Sequence, residues 1–173
     1  MKYYIFEGRI EFGEGLQKLL DFIGNNEGEL LIGIDSIGGS ATIGELLLNI
    51  LNLNKERVTL QCLNGVYSTA FYLFAEFEGK KLLAENSKGM WHYGKTTICI
   101  DDKGNPFDGE DEVVKSSNKY RKAFSGRIAK KYMNEKELQK FKKGEDVYFG
   151  YERMREMFTK TKTNRKSGDL TKS

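Results

Sequence analysis

Residues 58–92 read VTLQCLNGVYSTAFYLFAEFEGKKLLAENSKGMWH, and how this stretch folds decides the rest. Val58 to Leu63 alternate β-branched and apolar residues and are bounded by the turn pair Asn64-Gly65, which predicts a strand ending at that pair. A few residues on, Ser68-Thr69 opens the segment Ala70 to Ala75, which is apolar nearly all round and lacks Gly and Pro. That pattern predicts a buried helix beginning at Ser68. A charged turn, Phe77 to Lys81, follows, and the stretch closes on His92, the single histidine of the chain.

A serine at a helix start more often serves as an N-cap than as a nucleophile. The same position, however, puts a hydroxyl beside unpaired backbone N–H groups and the positive end of the helix dipole, which favour developing negative charge. If the chain uses Ser-His chemistry, one histidine leaves no choice of general base, so the pair is Ser68 and His92.

Upstream, Tyr3 to Phe6 predict a strand ending at Glu7-Gly8, and Leu16, Leu19, Leu20 and Ile23 recur at helical spacing up to Gly24-Asn25-Asn26. Glu29 to Asp35 is mostly apolar, as in a parallel strand buried on both faces, and runs into Ser36-Ile37-Gly38-Gly39-Ser40 before a helix from about Thr42 to Leu51. Strand and helix alternate, so the fold class is α/β, built from right-handed βαβ crossovers. The Gly38-Gly39 pair fits neither GxxxxGK[ST] nor GxGxxG, which counts against a nucleotide site. A plain tight turn and an oxyanion hole, in which backbone N–H groups meet a substrate carbonyl, both remain open for it.

Length and composition bound the partners. A chain of 173 residues, 39% hydrophobic, suits one domain with one core, here 1–158, followed by a basic segment, 159–173, too poor in apolar residues to fold. The net charge of +3 offers no general attraction to nucleic acid or to membrane. Cys62 and Cys99 sit in strand-like runs without metal-ligand spacing, so no metal or disulfide is expected. The N-terminal residues lack the pattern of a signal peptide or a transmembrane run, which makes a cytoplasmic protein the expectation. Beyond His92, Thr96 to Ile100 predict a short strand, Gly109 to Met133 a long helix with a narrow apolar stripe, and Asn134 with Glu137 a capping box for a helix through Phe141.

Ile34 to Thr42, the strand-turn-helix of Val58 to Phe74, and Lys80 to His92 resemble the proteolytic subunit of the Clp protease (ClpP) and its relatives, which share the crotonase-type fold of layered β-β-α units. The likeness covers residues 3–92 well and the remainder weakly. It implies a serine endopeptidase without metal or organic cofactor, with Ser68 as nucleophile, His92 as general base, and the Gly39 and Thr69 N–H groups as the oxyanion hole. Asp146, in Lys143-Gly144-Glu145-Asp146-Val147-Tyr148-Phe149, best matches the family's third triad member, with Glu145 its competitor. The partners it implies are a polypeptide substrate and a homo-oligomeric ring, the helix of Gly109 to Met133 corresponding to the handle through which rings associate.

Departures stand beside the site. Ile37 replaces the usual Pro before the Gly-Gly pair, Ala70 the usual Gly two residues after the nucleophile, and Tyr93-Gly94 the usual Gln-Pro after the histidine. The first strand begins at about residue 3, without the family's pore-lining extension, so docking to a standard AAA+ unfoldase is not expected. The alternatives are a catalytically idle ring subunit or scaffold, a phage-type capsid maturation protease, and, opposed by the Ser-His pair, an acyl-CoA enzyme of the same fold.

Overall fold

The computed structural model describes residues 1–93 and 110–159. In chain order the elements are β1 (Lys2–Ile10), α1 (Glu14–Asn25), β2 (Leu30–Gly39), α2 (Ala41–Leu53), β3 (Val58–Tyr67), α3 (Thr69–Glu76), β4 (Lys80–Leu83), β5 (Lys88–Trp91), α4 (Glu110–Tyr132), α5 (Glu135–Lys142), β6 (Val147–Phe149) and α6 (Tyr151–Thr159). The predicted strand at Thr96 to Ile100, Cys99, the first residue of the predicted long helix, Gly109, and all of the basic segment beyond Thr159 lie outside the described residues.

The architecture is α/β. Six strands form one sheet in the order β1-β2-β3-β5-β6, with β4 paired to β3 off that path. The pairs β1–β2, β2–β3, β3–β4 and β3–β5 are all parallel. Parallel neighbours need crossover connections, and the alternation of apolar strands with amphipathic helices supplies them.

The described residues divide into two compact units, one formed by Met1–Met90 and those from Tyr148 on, the other by those within Trp91–Val147. In the first, register lines up the core in rows across the sheet: Leu30 beside Val58, Ile32 beside Leu60, and Phe6, Ile34 and Cys62 abreast. All of these side chains are buried. Burying a side chain of this size contributes roughly 1.5–3 kcal/mol each before entropy is counted. Helix α1 packs on β1, where Phe22 stacks on Tyr4, and α3 packs on β2 and β3. Residues 70–75 of α3 are all buried, as its unbroken apolar character predicts, with Phe71 stacked on Phe149 and Phe74 edge-on to Phe158. The opposite side of β1 is less covered: Tyr3 and Ile5 are 49% and 43% exposed.

Several strand ends differ from the expectation, and β2, expected to end at Asp35, runs on to Gly39. The Glu7-Gly8 and Asn64-Gly65 pairs do not terminate β1 and β3; both strands pass through them as irregularities in register, at Gly8/Arg9 and between Ile34 and Ser36. At the second, the Asp35 carboxylate accepts from Asn64 Nδ2 at 2.6 Å and from the Gly65 N–H at 3.2 Å, so a side chain replaces the missing ladder bonds. A bulge of this kind bends a strand without ending it. Downstream of it β3 exchanges its partner β4 for β5. The expected charged turn also ends early, since Lys80 and Lys81 already belong to β4.

The second unit holds α4 and α5 packed on each other. Helix α5 begins with the expected capping box: Asn134 accepts from the Glu137 N–H at 3.0 Å and donates its own N–H to Glu137 at 2.8 Å. Among the residues of α4 whose side chains are described, Ser125, Ile128 and Ala129 are buried.

Candidate active site

Two serines stand at the head of two helices in equivalent strand-loop-helix turns, and they behave differently. Ser40 precedes α2 with φ −65° and ψ 124°, and its hydroxyl accepts from the Ile43 N–H at 3.4 Å, an ordinary N-cap. Ser68 precedes α3 with φ 54° and ψ −122°, and its side chain makes no capping bond. A positive φ is unfavourable for a residue with a Cβ and costs on the order of 1–3 kcal/mol, so it persists only where the surroundings enforce it. Here they do. The Ser68 N–H donates to the Met90 carbonyl at 2.9 Å, its carbonyl accepts from the Tyr72 N–H at 3.1 Å, and buried α3 fixes the direction of the chain beyond. The turn is a strained strand-to-helix elbow that lifts a half-exposed serine out of the cap role.

The glycine pair at the end of β2 closes against this elbow. A Cβ on Gly38 would stand 2.6 Å from the Tyr67 carbonyl oxygen, 2.8 Å from Ser68 Cβ and 2.9 Å from the Thr69 nitrogen, and Gly38 has φ 89°. Only glycine fits that approach. Gly39 lies with equal closeness on the backbone of Ile10, its register partner in β1. The buried Ser36 side chain accepts from the Gly38 N–H at 3.1 Å and donates to the Gly8 carbonyl at 2.6 Å. Thr69, also buried, donates its hydroxyl to the Gly39 carbonyl at 2.9 Å. Ser68, Thr69 and the glycine pair therefore come together within the first unit.

His92 and Asp146 come together in the second. His92 Nδ1 and Asp146 Oδ1 are 3.5 Å apart, with the imidazole mostly covered and the carboxylate half-exposed. His92 follows directly on β5 and Asp146 directly precedes β6. The aromatic residues on either side of His92 are anchored: Trp91 Nε1 donates to the Ser125 carbonyl at 3.0 Å, and Tyr93 stacks on Phe141 with ring centres 4.1 Å apart. Stacking by Tyr93 is thus what holds the chain where the resembled family has Gln-Pro. Glu145 is exposed, and its backbone N–H donates to the Lys140 carbonyl at 3.2 Å.

Sequence reasoning missed the supporting contacts of Ser36, Asp35 and the Thr69 hydroxyl. Each joins residues about thirty positions apart in the chain, beyond the reach of any local pattern. Among the described residues no group of His, Cys, Asp and Glu side chains is arranged to hold a metal ion, and no helix is long and apolar enough to cross a membrane. The Cys62 thiol is no nucleophile, since burial pushes its pKa up to about 12. No protein-family model matches the sequence, and no curated protein matches it either.

Proposed function

We propose that this chain is a serine endopeptidase resembling the proteolytic subunit of the Clp protease, with the crotonase-type layered fold of that family, working as a homo-oligomer on polypeptide substrates. The observation that carries the reading is the backbone of Ser68: φ 54° at a strand-to-helix elbow, with the side chain withheld from capping. Strain of this kind is not needed to head a helix, as the capped conformation of Ser40 shows. It is the conformation that presents a nucleophile beside the N–H groups of a helix start. The His92–Asp146 pair supports the reading, because a carboxylate on Nδ1 leaves Nε2 as the basic nitrogen.

In this reading Ser68 Oγ attacks the scissile carbonyl carbon while His92 takes the hydroxyl proton, and the oxyanion is held by the N–H groups of Gly39 and Thr69. His92 then gives the proton to the leaving amine. Water hydrolyses the acyl-enzyme by the same route in reverse roles.

Labelling with a fluorophosphonate, followed by peptide mapping, tests this. The modified residue is expected to be Ser68, and Ser68→Ala is expected to remain unlabelled. Equal labelling of the two proteins overturns the assignment. A wild type that neither labels nor cleaves any peptide favours the idle ring subunit or scaffold, for which the replacements Ile37 and Ala70 beside the site speak.

A further inference from the structure

Two adjacent glycines close the end of β2, where the direction of each peptide is set by its hydrogen bonds and not by a Cβ. The peptide that carries the Gly39 N–H joins Gly38 to Gly39, and neither residue has a Cβ to restrain its rotation. The peptides on both sides of it are anchored. Before it, the Gly38 N–H donates to Ser36 Oγ at 3.1 Å. After it, the Gly39–Ser40 peptide is held at both ends: its N–H donates to the Ile10 carbonyl at 2.8 Å, and its carbonyl accepts from Thr69 Oγ1 at 2.9 Å. The Gly38–Gly39 peptide, paired with β1 in the ladder, is thus flanked by two anchored peptides, and one of the bonds anchoring them comes from a side chain on the elbow itself.

The Thr69 side chain is held in that role by its other branch. Thr69 is 6% exposed, and a Cβ placed on Gly44 of α2 would overlap its Cγ2 methyl. A β-branched residue has few rotamers at χ1, and the methyl seated over Gly44 selects the one that sends the hydroxyl to Gly39. A threonine is suited to this position because it offers one apolar and one donating branch.

We infer that Thr69 is a positioning residue whose hydroxyl, by holding the Gly39 carbonyl, fixes the direction of the Gly39 N–H toward the oxyanion. This role belongs to the side chain and is separate from the Thr69 backbone N–H; it rests on the endopeptidase reading above. An oxyanion donor that is misdirected loses the stabilisation it gives only in the transition state, so its loss lowers kcat and leaves KM in place.

The test compares wild type, Thr69→Val and Thr69→Ser in the full chain, by fluorophosphonate labelling rate and by kcat and KM on a peptide substrate, beside thermal melts. Valine keeps both branches and removes the donor, while serine keeps the donor and removes the methyl. The expected result is a fall of about tenfold to a hundredfold in labelling rate and kcat for Thr69→Val with KM unchanged, and a clearly smaller fall for Thr69→Ser, which keeps the donor but loses the methyl that selects its rotamer. If valine does not fold, Thr69→Ala against Thr69→Ser makes the same comparison. Wild-type rates in Thr69→Val overturn the positioning role and leave Ser68 as nucleophile. Equal losses in the valine and serine variants also overturn it, since packing and not the hydroxyl is then what matters. A wild type without labelling removes the endopeptidase reading and this role together.

Discussion

His92 Nδ1 lies 3.5 Å from Asp146 Oδ1, a pair formed by the residue that follows one strand and the residue that precedes another. The separation exceeds that of a strong charge-assisted hydrogen bond, and contacts of this kind tighten when substrate closes a site. Asp146→Asn replaces the carboxylate by an amide of the same shape that no longer selects the tautomer. It is expected to fold with an unchanged melt and to lower kcat by roughly three to four powers of ten, with little change in KM. Glu145→Gln, made at an exposed residue, is expected to leave kcat within about twofold of wild type. Near wild-type turnover in Asp146→Asn excludes Asp146 from the triad.

The strain at Ser68 gives a stability prediction that is independent of any substrate. Ser68→Ala keeps the Cβ at φ 54° and removes only the hydroxyl, so its melting temperature should lie close to that of wild type. Ser68→Gly relieves the conformation and should melt higher than Ser68→Ala, by about 1 kcal/mol or a few degrees, although neither variant has a nucleophile. Glycine melting lower than alanine would show that the elbow is unstrained in solution.

Trp91, the sole tryptophan, donates to the Ser125 carbonyl and tilts against the ring of Phe124, so its fluorescence reports the packing of α4. Trp91→Phe removes that hydrogen bond and leaves space beside buried residues of α4, and is expected to cost about 1–3 kcal/mol, read as a lower midpoint in urea or heat. Phe124→Glu is expected to shift the tryptophan emission to the red and to destabilise the protein, because this ring is already engaged within its own unit. A Phe124→Glu protein with wild-type stability, changed only in its size by light scattering, would assign Phe124 to a subunit interface instead.

Burial holds the Cys62 thiol at about 12, against an ordinary value of 9.0. Between those values the unfolded chain releases the proton and the folded chain keeps it, so stability falls as pH rises through this window and is unaffected by this group below it. The loss attributable to Cys62 approaches about 1.4 kcal/mol per pH unit at most. Melts of wild type and Cys62→Ala from pH 7 to 11 should therefore converge above pH 9, alanine being the less stable at neutral pH because of the cavity it leaves. At neutral pH, alkylation mapped to the Cys62 peptide should be slow in the folded protein and fast in denaturant. Parallel pH profiles for the two proteins would contradict this.

Much was legible in the sequence because it is written in local patterns. The apolar runs and their periods determined the α/β class, the buried helix after Ser68, the amphipathic α1 and the capping box of α5, since each depends on residues within a turn or two of one another. Strand ends at Gly8 and at Asn64-Gly65 were misread for the complementary reason. A glycine or an Asn-Gly pair ends a strand only if nothing across the sheet satisfies the backbone there, and it is Asp35, from the neighbouring strand, that bonds Asn64 and Gly65. The difference between Ser40 and Ser68 belongs to the same class. Both are serines opening a helix after a strand, and nothing local separates them. Tertiary structure does, through the Met90 carbonyl that holds the Ser68 N–H and the glycine pair packed against its Cβ, which together force one backbone into a conformation the other has no reason to adopt.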